Sequence, residues 1–88
     1  MALFLIERNV GRMTQDQIET ASKRSNEVLA EMEGVTWVRS YVSDVDGKIF
    51  CEYEAPTAEH IREHARRAGI PADVIREIGI TLSPDMFR

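Results

Sequence analysis

Two histidines four residues apart, His60 and His64, are the first residues whose spacing could do chemistry. Imidazoles at i and i+4 lie on one side of a helix and can share a metal ion. At about 100° per residue, however, His64 falls about 80° from the centre of the surrounding apolar stripe and His60 about 120° away. That geometry predicts one histidine at the edge of the core and one in solvent. Cys51 is the single cysteine, which excludes an intramolecular disulfide. It reads as a small core residue; as a nucleophile it would need a base beside it, and His64 is the candidate. Glu52 and Glu54 share a strand face with Arg39, near Tyr41. They read as a solvated or subunit-bridging network, since no pocket that would shift their protonation is apparent. Asp44 and Asp46 fall in a turn that lacks the ligand series of a calcium loop. Arg62, Arg66, Arg67 and Arg76 are interleaved with Glu59, Glu63 and Glu77, the pattern of a solvated face. No phosphate loop, nucleotide fingerprint or Ser/His/Asp set occurs.

The elements that must position these residues are legible. Residues 3–8 form a strand that is apolar on both faces, and so expects cover on both. Residues 14–33 form a helix, opened by Thr14 and Gln17 as a capping box, with Ile18, Ala21, Ser25, Val28, Leu29 and Met32 as its apolar stripe. Residues 35–43 and 49–54 form a hairpin, with Asp46 and Gly47 as its two turn residues. Residues 57–68 form a second helix, with Ala58, Ile61, Ala65 and Ala68 inward; Gly69 and Pro71 stop it. Residues 74–82 form a fourth strand and 83–88 a tail. The order βαββαβ predicts an α+β, ferredoxin-like fold, a four-stranded antiparallel sheet with two helices on one face.

The two-residue turn implies that Val42 faces Cys51 and Ser40 faces Tyr53. It places Val38, Ser40, Val42, Cys51 and Tyr53 under the helices. Trp37, Arg39, Tyr41, Phe50, Glu52 and Glu54 then lie on the helix-free face, with Arg39 opposite Glu54 and Tyr41 opposite Glu52. Three aromatics and one side of the first strand would make an apolar patch of roughly several hundred Å², more than a monomer usually exposes. That patch predicts a homodimer joined through the helix-free sheet face. A ligand pocket lined by Trp37, Arg39, Tyr41 and Glu52 is compatible with it.

Size and composition set the outer bounds. With 88 residues, 43 % of them hydrophobic and 30 % charged, the chain has room for one domain, 1–88. A net charge of −4 argues against nucleic acid as a partner. No apolar run approaches the roughly 18 residues of a membrane span. The run at residues 2–6 is too short for a signal peptide, so a cytoplasmic location is expected. A chain this short buries only about two-thirds of its unfolded surface, and a second subunit is one common remedy.

Leu5-Ile6-Glu7-Arg8, Trp37 to Val42, Ile49 to Pro56, and above all Arg62 to Ala72 resemble the domain of unknown function 4242 family, over nearly the whole chain. Matching positions are Glu7, Trp37, Tyr41, Cys51, Tyr53, Pro56, His64, Gly69 and Pro71. The resemblance implies a small ferredoxin-like protein, and for some members nickel binding. Nickel prefers imidazole, thiolate and carboxylate donors among the groups present, which points to His64 and Cys51, with Glu7 and Tyr53, as metal donors. Arg39 stands where relatives often carry histidine, and a guanidinium is not a ligand. The leading expectation is thus a small dimeric binding protein with nickel or another transition metal as ligand, rather than an enzyme. The alternatives are a cofactor-free enzyme of the dimeric α/β-barrel type and an accessory subunit without a ligand.

Overall fold

The computed structural model describes residues 1–88 in the order β1 (Ala2–Asn9), α1 (Gln15–Ala30), β2 (Thr36–Ser43), β3 (Lys48–Ala55), α2 (Ala58–Ala68) and β4 (Val74–Ile78), with a 3₁₀ turn at Pro84–Phe87. All three strand pairings are antiparallel and the sheet order is β2-β3-β1-β4. This is the α+β, ferredoxin-like βαββαβ arrangement that the pattern predicts. No helix is long and apolar enough to cross a membrane.

The helix ends follow their local chemistry. Gln17 N–H donates to Thr14 Oγ1 at 3.2 Å, and Thr14 N–H donates to Gln17 Oε1 at 2.8 Å, so the capping box is complete. The first helix stops at Ala30, short of residue 33. The N–H groups of Glu31 and Met32 turn back to the Val28 and Leu29 carbonyls, which tightens the last turn and releases the chain. Gly69 ends α2 with φ +70°, the left-handed cap that glycine takes without strain. The last strand stops at Ile78 rather than residue 82. Leu3 pairs with Ile78, and β1 begins only one residue earlier, so the partner strand runs out.

The hairpin differs from the two-residue reading in two ways. Ser43 pairs with Lys48, Val42 with Ile49, and Ser40 with Cys51, leaving Asp44–Gly47 as a four-residue turn. The Gly47 carbonyl accepts the Val10 and Gly11 N–H groups at 3.1 and 2.9 Å, which fixes the turn against the end of β1. A two-residue slip keeps every side chain on its expected face. The second difference does not: an irregularity between Trp37 and Arg39 leaves Val38 without a cross-strand partner. Such a bulge reverses the alternation beyond it. Trp37 therefore pairs with Tyr53 and packs on the core, while Val38 is exposed. The helix-free face loses its largest expected aromatic. Across the strands, Arg39 faces Glu52 and Tyr41 faces Phe50, in place of the expected partners.

The closed core comprises Phe4, Ile6, Val35, Cys51, Tyr53, Ala55 and Ile61. It lies mainly beneath α2, whose alanines allow close approach. His64 is fully buried, deeper than its stripe angle suggests. The other helix makes its closest approach to α2 rather than to the sheet.

Candidate functional site

Alternation along β1 sends Phe4 and Ile6 toward the helices, and the same period sends Arg8 there. Arg8 is only 2 % exposed. Its Nε donates to Cys51 Sγ at 3.4 Å and its Nη1 to the Pro71 carbonyl at 2.7 Å. Its guanidinium carbon lies 5.7 Å from the centre of the Tyr53 ring. Nη2 is buried and has no hydrogen-bond partner. None of the ion pairs in the molecule includes Arg8. A guanidinium does not shed its proton in a protein, so a permanent charge is buried without a carboxylate.

Two short hydrogen-bonded chains surround it. Trp37 Nε1 donates to Ser40 Oγ at 2.9 Å, and Ser40 Oγ donates to Cys51 Sγ at 2.8 Å. Ser25 Oγ, from α1, lies 3.2 Å from the Tyr53 hydroxyl and 3.1 Å from His64 Nε2. The Tyr53 ring is the hub: it stacks on Trp37 at 6.4 Å between centroids and tilts against His64 at 5.2 Å. Burial pushes the Tyr53 phenol above its ordinary range, against the pull of the Ser25 hydrogen bond and the Arg8 charge. Burial holds His64 below its ordinary value; the bond to Ser25 opposes this, and the Arg8 and Arg67 charges add to it. His64 is thus a neutral imidazole at pH 7, with Nδ1 buried and without a partner.

Above this network lies a cavity of about 260 Å³, between the N-terminal half of α1 and the β2–β3 hairpin. Its walls are mostly apolar, with Val10, Met13, Ile18, Trp37, Val42 and Ile49 among them, and Arg8, Ser22, Ser25 and Ser40 supply polar groups. Cys51 and Tyr53 also line it. An amphipathic helix normally spends its apolar stripe on the core. Here only Ser25 and Val28 of α1 are buried, and the N-terminal part of the stripe faces the cavity.

The four residues expected as metal donors are not all brought together. Cys51, Tyr53 and His64 belong to the helix-facing layer. Glu7 points to the opposite face, where its carboxylate takes the Lys48 ammonium at 3.0 Å. No group of three or more His, Cys, Asp or Glu is placed to hold a metal ion. The Arg8 cation on the Cys51 sulfur would also oppose a divalent ion there. The residues of one chain therefore do not fit a nickel centre. His60 makes a separate contact, with Nδ1 2.8 Å from Thr57 Oγ1.

Of the residues expected around a sheet-side pocket, three are together. The Tyr41 hydroxyl donates to Glu52 Oε1 at 2.7 Å, and Arg39 Nε lies 3.6 Å from the same oxygen. The Glu52 hydrogen bond is the main reason the Tyr41 phenol is raised. Trp37 is the one that departs, carried to the other face by the bulge. Arg8, Ser25 and Ser40 were not singled out as site residues from sequence. The signal for Arg8 was its parity with Phe4 and Ile6.

Fold and site thus define a two-layer α+β protein with a ligand-sized cavity over a buried cation. Residues 4–78 match the family described as SCO4226-like, nickel responsive protein. The chain belongs to that family. Among solved structures it is similar to the crystal structure of SCO4226 from Streptomyces coelicolor A3(2), with a TM-score of 0.82 and 29 % identity over 92 % of this chain and 100 % of that one. No curated protein matches.

Proposed function

We propose that this chain is a small homodimeric binding protein of the nickel-responsive type, whose ligand enters the cavity between α1 and the sheet. The observation that carries the reading is the cavity itself: apolar walls, a few convergent polar groups and a buried cation on its floor, the usual make-up of a small-molecule site. Responding to nickel does not require a nickel ligand set in the chain, and one copy offers none. Ser25 Oγ and His64 Nε2 are within hydrogen-bond reach beside the cavity, but His64 Nδ1 has no partner to orient the imidazole, which favours binding over catalysis. The tie to the domain of unknown function 4242 family is part of the same reading, since both describe small proteins linked to nickel. Native mass spectrometry of protein purified without an affinity tag tests the proposal. A retained organic mass supports it. Retained nickel instead, lost in His64→Ala and kept in His60→Ala, would put the metal in the core and overturn it.

The dimer is supported by the helix-free face, where Leu3, Leu5, Phe50 and Ile78 remain half-exposed beside the exposed Tyr41. Apolar area of this kind contributes about 25 cal/mol per Å² when covered, before association costs. Light scattering on the parent protein should give a two-chain mass, and Phe50→Asp should give single chains. A single-chain mass for the parent at micromolar concentration overturns this part.

A further inference from the structure

We infer that the cavity selects an amphipathic monocarboxylate, a small organic acid with an apolar body, and that Arg8 is the residue that reads its charge. This rests on the cavity being the ligand site.

Three observations converge. The first is the unpaired charge. Most ionisable groups buried without a counterion shift their protonation and become neutral, but arginine cannot. Two arms of Arg8 are already committed, Nε to Cys51 and Nη1 to the Pro71 carbonyl. Those acceptors and the face of Tyr53 stabilise the guanidinium without neutralising it. The remaining arm, Nη2, is buried and unpartnered, and Arg8 lines the cavity. A ligand anion is the missing counterion.

The second is the make-up of the walls. The Ile18, Met13 and Val42 side chains give no hydrogen bonds, so whatever lies against them is apolar. Among them Arg8 and the Ser22, Ser25 and Ser40 hydroxyls supply polar groups. With the Ser25 and Ser40 hydroxyls already engaged within the site, the guanidinium charge and the Ser22 hydroxyl suit the two oxygens of a carboxylate. A dianionic phosphate, with three oxygens to satisfy, needs a richer donor set. The third is size. An apolar protein cavity of roughly 150 Å³ accepts benzene. About 260 Å³ has room for an apolar body of that order and a carboxylate as well.

Trp37, the only tryptophan, lines the cavity and reports its contents through its fluorescence. The experiment titrates the untagged protein at pH 7.5 with octanoate, 1-octanol, octylamine and acetate, following Trp37 emission and confirming by calorimetry. Octanoate is expected to saturate and to bind about tenfold or more tighter than octanol, the scale of one buried charge-assisted hydrogen bond. Octylammonium and acetate should not saturate, the first for its charge and the second for want of an apolar body. Arg8→Met, similar in length and apolar, should remove the preference for octanoate over octanol. If that variant does not fold, the comparison of octanoate with octanol in the parent decides alone. Octanol binding as tightly as octanoate, or octylammonium binding best, overturns the charge inference while leaving the cavity a ligand site. Acetate binding as tightly as octanoate overturns the role of the apolar walls. If none of the four binds and no organic mass is retained in native spectra, the inference and the reading beneath it both fall.

Discussion

The two helices lie over one sheet and treat it differently. Beneath α2 the core is closed: Ile61, His64, Ala65 and Ala68 are all buried, and Ile61 packs with Phe4, Ile6, Tyr53 and Ala55. Beneath α1, which is longer, only Ser25 and Val28 are buried, and Ile18, Ala21 and Ser22 border the cavity. Both sequences carry an apolar stripe at helical spacing, so periodicity alone does not separate them. What separates them is what lies opposite. The second helix meets the β1–β3 centre with small side chains. The first meets the end of β1 and the hairpin, where Arg8 and Trp37 occupy the floor. One half of the layer carries stability and the other keeps room for a ligand.

Truncations should expose this division most strongly. Ile61→Ala leaves a cavity in a closed core and should cost about 2–5 kcal/mol in urea unfolding. Ile18→Ala removes the same atoms from a half-covered site and should cost about 1 kcal/mol or less. Equal losses would mean that the α1 side is packed as tightly as the α2 side. Enlargement should show the reverse asymmetry. Ala65→Leu overfills the closed side and should destabilise by about 1–3 kcal/mol. Ala21→Leu projects into the cavity and should be neutral or stabilise by up to about 1 kcal/mol. A severe loss in Ala21→Leu would show that α1 cannot accommodate a larger side chain, and that the cavity is not available space.

The closed half was the more legible of the two from sequence. Strand order, both helices and the inward places of Cys51, Tyr53 and Ile61 follow from period and end signals, whereas a first strand apolar on both faces does not say whether Leu3 and Leu5 or Phe4 and Ile6 meet the helices. What failed was non-local. The Val38 bulge is written in no turn residue, and it alone moves Trp37 from the open face to the cavity. The two-residue turn lost to Gly47, whose carbonyl is held by the backbone at Val10 and Gly11, a contact between distant segments. Stripe angles put His64 at a boundary because they measure one helix, while its burial depends on Ser25 and Tyr53 arriving from two other elements. The site depends on Arg8, whose place was readable by alternation but whose lack of a carboxylate partner shows only in three dimensions.

His64 tests the closed side through pH. The unfolded chain takes up a proton on a histidine near pH 6.5. Burial holds His64 below that value in the folded protein. Between the two, the unfolded state binds more protons, so stability is fully present above pH 6.5 and falls as the pH drops through it toward the folded value. His64→Gln keeps a polar group beside Ser25 without titrating there. Its urea midpoint should change less between pH 7.5 and 5.5 than that of the parent. A parent slope that survives in His64→Gln assigns the effect to other groups and removes His64 from the closed side.

The smallest effect is expected where the sheet faces outward, and the two tyrosines make the comparison. Both phenols are raised, for different reasons: Tyr53 first by burial, Tyr41 first by its hydrogen bond to Glu52, with the Arg39 charge pulling the other way. In Glu52→Gln the carboxylate is gone and the Tyr41 phenol should return toward the ordinary tyrosine value near 10. Tyr53 should be unmoved, because nothing that desolvates it has changed. Ultraviolet absorbance during an alkaline titration, read against Tyr41→Phe to assign the signals, separates the two. The unfolding midpoint should barely move in either variant, since an exposed bond exchanges readily with water. Should the phenol signal that is absent in Tyr41→Phe be unchanged in Glu52→Gln, the Tyr41–Glu52 bond is not formed in solution.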